Sequence, residues 1–161
     1  MTAAGSGRAG ARGGTRPCGG GAGFLYFAYG SNLNPARMRS RCPGARFVGT
    51  ATLRGWRLVE RLYADVERAS GGSVRGAVYW LGHADLDALC RYEGAPRVYR
   101  CGMVTAWLDG RGWADCLTFA MTRRTRDERD GRSYPGWYRA VCSEGARARG
   151  IRDDFAVAKV G

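Results

Sequence analysis

The residue best suited to proton chemistry in this sequence is Glu93. Over Ala84 to Glu93 the apolar residues Leu86, Leu89 and Cys90 fall at i, i+3 and i+4, and Glu93 takes i+7 on the same stripe. The spacing predicts a helix with a carboxylate on its core-facing side, in the last turn before Gly94 as C-cap and Pro96 as a stop. Burial and the negative end of the helix dipole both disfavour an anion there, which moves the carboxyl toward the range useful for proton transfer near neutral pH. The same spacing also permits a solvated Glu93 at a frayed helix end, or one paired with Arg91, Arg97 or Arg100.

A second candidate is the turn Tyr29-Gly30-Ser31-Asn32, which precedes Asn34-Pro35, an N-cap followed by proline at the first helical position. Glycine lets the backbone approach a ligand, and successive N–H groups entering a helix form a nest for a carboxylate or a developing oxyanion. An ordinary strand-to-helix turn, with Ser31 and Asn32 satisfying backbone groups, is the alternative. His83 is the only histidine and is expected to be exposed at a helix start, so a Ser-His-Asp site has no support. Tyr134, Trp137 and Tyr138 crowd the start of a later helix and read first as core packing. The mixed-charge run from Arg123 to Arg132 reads as a solvated loop, with a lid over a site as the alternative.

The elements that must position these groups are legible in outline. Phe24 to Tyr29 reads as a buried strand, followed by a short helix from Pro35 to about Arg41. Strands are predicted at Ala45 to Leu53, Trp56 to Leu62, Val74 to Leu81, Val98 to Leu108 and Trp113 to Met121, the last two joined as a hairpin through Asp109-Gly110-Arg111-Gly112. Helices are predicted at Ala84 to Glu93, Gly136 to Arg149 and Arg152 to Val160. About six strands and three or four helices, not alternating βαβα, give an α+β class with a mostly antiparallel sheet, open or closed on itself.

Composition bounds the rest. A chain of 161 residues, 45% hydrophobic and 25% charged, suits one soluble domain with a real core. The longest apolar run, Phe24 to Tyr29, is far too short to span a bilayer, so no membrane partner is expected. The net charge of +12 is spread along the chain rather than gathered into a stripe, Lys159 is the only lysine, and no nucleic-acid motif is present, so no nucleic-acid partner is expected. The six cysteines form no CxxC pair, which argues against a metal site and for reduced thiols packed as small hydrophobes in a cytoplasmic protein. Residues 1–23, rich in Gly, Ala and Arg, predict a disordered leader ahead of a folded domain over 24–161.

Phe24-Leu25-Tyr26-Phe27-Ala28-Tyr29-Gly30-Ser31-Asn32-Leu33 resembles the opening motif of the AIG2-like γ-glutamylcyclotransferase family. The resemblance continues through Val74 to Tyr79, Glu93-Gly94 with Tyr99 six residues on, Tyr138-Arg139, and the glycines of the closing helix. It implies a small mixed, mostly antiparallel β-barrel flanked by helices. It also implies intramolecular aminolysis, in which the α-amine of a γ-glutamyl group attacks its own γ-carbonyl and releases 5-oxoproline and a free amine. Carried over by position, Glu93 is the acid/base. Tyr26, Phe27, Ala28, Tyr29, Gly30 and Ser31, with Asn32 of the nest, bind substrate, and Tyr138 adds a contact. No metal or organic cofactor is implied.

The stretch Tyr63 to Arg68 departs from the family pattern by carrying charge where a Gly- and Ala-rich strand is expected, and this bears on specificity. The expected substrate is a γ-glutamyl amino acid. The alternatives are a γ-glutamyl-protected biosynthetic intermediate, with an acidic carrier protein as candidate partner, and a non-catalytic binding module on the same fold. The expected state is a monomer or homodimer.

Overall fold

Strand β1, Phe24–Ala28, runs through the centre of the molecule, and Tyr26, Phe27 and Ala28 are all buried because both its faces are covered. The computed structural model describes residues 22–156; the rest of the expected leader and residues 157–161 lie outside them. Four further strands, β2 (Arg46–Arg61), β3 (Tyr63–Leu81), β4 (Tyr99–Leu108) and β5 (Gly112–Met121), complete a closed barrel in the order β1-β3-β2-β4-β5. All the pairings are antiparallel except the closing one, where β1 meets β5 in parallel at Tyr26 and Leu117. Closure leaves no unpaired edge beside β1, and the expected mixed, mostly antiparallel barrel is what forms.

Two strand assignments change. Ala45 to Leu53 and Trp56 to Leu62 are one strand, β2, bent by irregularities at Phe47/Gly49 and Arg54/Trp56, so the barrel has five strands rather than six. Its partner β3 begins at Tyr63, eleven residues before the predicted start. The turn between them is a single residue, Leu62, held at φ 62° with its N–H on the Arg132 carbonyl. The first half of β3 escapes sequence patterning because its inward residue at one position is Asp65, fully buried. That carboxylate takes Arg61 at 2.8 Å, Arg126 at 2.7 Å and the Met121 N–H at 2.8 Å. A buried carboxylate with this many charged and backbone donors is satisfied where an isolated one would be expelled.

Helices α1 (Pro35–Arg41), α2 (His83–Tyr92), α3 (Arg123–Arg129) and α4 (Gly136–Ala148) flank the barrel. Asn34 caps α1 as expected, its side chain accepting from the Ala36 and Arg37 N–H groups. The run from Arg123 is not a loop in its first seven residues: Thr122 caps it by accepting from the Thr125 N–H, and Arg126 ties it to Asp65. No apolar stripe announces this helix, since its anchors are polar. Residues 152–156 are not helical, so the predicted last helix is absent from its described part. Among the described residues the five cysteines are all unpaired, and Cys42, Cys116 and Cys142 are buried.

Helix α4 presses against the turn after β1. A Cβ placed on Gly145 would lie 2.5 Å from the Asn34 nitrogen and 2.7 Å from the Leu33 carbonyl carbon, so only glycine allows the two backbones this contact. Gly145→Ala is expected to destabilise the protein by about 2 kcal/mol, read as a lower urea midpoint; an unchanged midpoint would mean that the packing of α4 on this turn is not tight.

Candidate active site

The chain leaves β1 through Tyr29 and Gly30, makes one turn of 3-10 helix at Ser31–Leu33, and enters α1 at Asn34. Among the described residues, the N–H groups of Gly30, Ser31 and Asn32 have no acceptor within the protein, whereas those of Leu33 and Asn34 bond back to the Gly30 and Ser31 carbonyls. Three successive free donors therefore stand on the wall of a small cavity. The opposing wall is Glu93, which closes α2 with its N–H on the Leu89 carbonyl at 2.9 Å and precedes Gly94 at φ 62°. The helix stripe places Glu93 inward, and Gly94 turns the chain away as predicted.

Glu93 is neither solvated nor paired with Arg91, Arg97 or Arg100. Its side chain is 16% exposed, accepts from the Asn32 amide at 2.9 Å and lies 3.7 Å from the Arg41 guanidinium. Arg41 also donates to the Asn32 Oδ1 at 2.9 Å, and the other hydrogen of the Asn32 amide goes to the Tyr26 hydroxyl at 2.9 Å. Asn32 is thus held at both ends, and the Tyr79 hydroxyl fixes its carbonyl at 3.1 Å. Burial raises the Glu93 carboxyl above the usual glutamate range, and the opposing pull of Arg41, the Asn32 hydrogen bond and Arg37 does not cancel it.

The remaining walls are phenols. The Tyr29 hydroxyl donates to the Phe119 carbonyl, Tyr99 donates to the Ala64 carbonyl at 2.8 Å, and the Ala64 N–H donates to the Tyr138 hydroxyl at 3.1 Å. Burial raises Tyr26, Tyr29, Tyr99 and Tyr138 well above the normal tyrosine value, so all four remain neutral hydrogen-bonding groups at any working pH. The β2–β3 tip matters here because it delivers Ala64, whose two backbone groups hold Tyr99 and Tyr138 in place.

The cavity volume is about 30 Å³, room for about two waters. Ser31, Glu93, Tyr99 and Tyr138 also line a wider vestibule of about 400 Å³ that opens outward between α1, α2 and α4. Of the residues expected to bind substrate, Tyr26, Tyr29, Gly30, Ser31, Asn32 and Tyr138 reach the cavity with Glu93. Phe27 and Ala28 do not. Both are fully buried in the barrel, where Phe27 packs against Gly76 and its carbonyl receives the Thr118 hydroxyl.

Tyr138, read first as core packing, lines both the cavity and the vestibule, and Trp137 is 54% exposed at the vestibule. Sequence reasoning missed Arg41, Ala64 and Phe119, and it noted Tyr99 as part of the motif without giving it a place in the site. Arg41 carried a signal, since it shares a helix face with Arg37 four residues earlier. Among the described residues no cluster of three or more His, Cys, Asp and Glu side chains is placed to hold a metal, and no helix is long and apolar enough to cross a membrane.

The family model for gamma-glutamyl cyclotransferase, AIG2-like proteins matches residues 26–140, from the phenol on β1 to the first turns of α4. The chain belongs to this family. YkqA of Bacillus subtilis, whose name as a gamma-glutamylcyclotransferase is provisional, is 33% identical over 110 residues, covering 63% of this chain and 40% of that protein. The chain therefore spans less than half the length of that relative.

The crystal structure of YkqA superposes with a TM-score of 0.65 at 26% identity, over 83% of this chain and 51% of YkqA. An uncharacterized human protein gives 0.69 at 25% identity, over 86% and 94% of the two chains. A gamma-glutamyl cyclotransferase gives 0.69 at 23%, over 87% and 94%, which shows the shared fold.

A carboxyl whose folded-state pKa is raised costs the cyclotransferase fold stability once it ionises. The folded protein is favoured below the unfolded glutamate's titration range, and that advantage is lost as pH rises through the raised folded value. Glu93→Gln is therefore expected to raise the melting temperature at pH 7 and to give a smaller gain at pH 4, measured by calorimetry; a lower melting temperature at pH 7 would mean that the Arg41 contact outweighs burial.

Proposed function

We propose that the protein is a γ-glutamylcyclotransferase that releases 5-oxoproline and a free amine from γ-glutamyl amino acids or amines, with Glu93 as general acid/base. The observation that carries this reading is the buried Glu93, its carboxyl raised by burial, lining one small cavity with three residues whose N–H donors are unoccupied, a cavity that opens to a substrate-sized vestibule. The reaction needs few groups. An α-ammonium is not nucleophilic, so a carboxylate must first take its proton. The free amine then attacks the γ-carbonyl carbon, closing a five-membered ring and placing negative charge on the carbonyl oxygen. Collapse of that intermediate breaks the bond to the leaving nitrogen, which receives a proton from the Glu93 carboxyl; the regenerated carboxylate then takes the ring nitrogen's extra proton and passes it to the released amine, which departs as an ammonium.

A carboxyl held above the normal range is matched to both transfers, because it is neither too weak to accept nor too strong to donate. The α-carboxylate of the γ-glutamyl group or the developing oxyanion would take the N–H donors of Gly30, Ser31 and Asn32, where preorganised donors are worth about 3 kcal/mol of barrier each. Ring closure is intramolecular, so the substrate itself supplies much of the proximity. Arg41 tunes rather than reacts. It favours the Glu93 carboxylate and limits how far burial raises the carboxyl.

Two measurements test the proposal. Glu93→Gln is expected to lower 5-oxoproline release by about 10³-fold or more while keeping the fold, and near-normal turnover would remove Glu93 from the mechanism. Because the base must be ionised, turnover falls as pH drops through the Glu93 titration. Arg41→Gln removes a charge that favours the carboxylate and is expected to move this acidic limb to higher pH, and a limb that moves down or stays fixed would contradict Glu93 as the titrating base.

A further inference from the structure

The vestibule outside the reaction cavity has an unusual charge balance. Arg37, Arg41, Arg91 and Arg129 line it, and among the described residues Glu93 is the only carboxylate on its walls. Arg41 is committed to Asn32 and Glu93. Among the described residues, Arg37, Arg91 and Arg129 have no carboxylate within ion-pair distance and no side-chain hydrogen bond, although nine other arginines do form ion pairs, Arg41 included. Two of the three guanidinium groups are held rather than free: Arg37 lies 5.6 Å over the Trp137 ring and Arg129 5.4 Å over Tyr63.

One nitrogen of Arg129 is buried with no partner at all. Burial and the nearby Arg41 charge both weaken Arg37's hold on its proton, a repulsion that a bound anion would relieve. A planar guanidinium fixed on an aromatic face, with its donors unused, is suited to bidentate capture of a carboxylate.

We propose that this vestibule is a subsite for an acidic leaving group, so that the preferred substrate is a γ-glutamyl amino acid whose released amine carries two negative groups, as in γ-glutamyl-glutamate. The inference rests on the cyclotransferase reading of Glu93 and narrows it: the reacting end of the γ-glutamyl group points from the vestibule into the inner cavity, and the two carboxylates of the released amino acid face Arg37, Arg91 and Arg129. A leaving group with a cationic side chain meets three unpaired positive charges and is disfavoured.

The test compares γ-glutamyl-glutamate, γ-glutamyl-glutamine and γ-glutamyl-lysine. The first two are nearly isosteric and differ by one charge. The expected result is a kcat/KM about tenfold higher for the glutamate peptide than for the glutamine peptide, carried mainly by KM, with the lysine peptide lowest and the ratio shrinking in added salt. In Arg37→Gln and Arg129→Gln the glutamate-to-glutamine ratio is expected to fall toward one.

Equal turnover of the three peptides, a preference for lysine, or an unchanged ratio in both variants would overturn the subsite. Calorimetric binding of the same peptides to Glu93→Gln separates the two claims. If wild-type protein releases no 5-oxoproline from any peptide, the cyclotransferase reading fails, and the order of binding still decides the subsite: glutamate tightest supports it, and no difference overturns it.

Discussion

The interaction on which the rest of the structure depends is the burial of one carboxylate, Glu93, against one amide, Asn32. Burying an ionisable group is costly, and this fold keeps the cost partial. The hydrogen bond from Asn32 and the charge of Arg41 favour the anion, burial favours the acid, and burial prevails. A stronger ion pair would have fixed Glu93 as a plain carboxylate. Without Asn32 and Arg41 burial would raise the carboxyl further.

Each surrounding element serves that balance. Strand β1 ends at the turn bearing Asn32, and its burial on both faces keeps that turn from shifting. Helix α2 carries Glu93 inward, α1 supplies Arg41, and α4 presses Gly145 onto the Leu33–Asn34 backbone. The β2–β3 tip brings Ala64 to hold Tyr99 and Tyr138, and the tip itself is anchored by the buried Asp65 and its two arginines. Two buried carboxylates thus play opposite parts: Asp65 is saturated with donors and structural, while Glu93 is only partly satisfied and exposed to a cavity.

What could be read from the sequence was what is local. The Asn34-Pro35 start of α1, the Glu93 position on its helix stripe and the Gly94 stop all follow from spacing within one element. The Gly30-Ser31-Asn32 turn was visible as a nest but not distinguishable from an ordinary turn, because only the tertiary structure shows its N–H groups left without acceptors. Ala64, Tyr99 and Phe119 reach the cavity from three separate strands and Arg41 reaches Glu93 from α1, and no periodicity within one element reports a contact between two. Helix α3 and the first half of β3 were missed for a related reason: both are anchored by polar contacts to Asp65, which patterning of apolar residues does not register. The inclusion of Phe27 and Ala28 came from reading a motif as a continuous binding loop, whereas in a buried strand those two side chains serve the barrel.

The basic character of the chain is diffuse in sequence, and at the vestibule it brings Arg37 and Arg129, each on an aromatic ring and without an acidic partner, to the mouth of the cavity. The central claim nevertheless concerns Glu93. Its most direct test is a pH titration of the Glu93 side-chain carboxyl by carbon NMR, with Glu93→Gln used to assign the signal. The account predicts a midpoint above the roughly 4.3 of an unperturbed glutamate, moving higher still when Asn32→Ala removes the hydrogen bond that favours the anion. A midpoint at or below the unperturbed value would contradict it, since Glu93 would then be an ordinary ion-paired carboxylate.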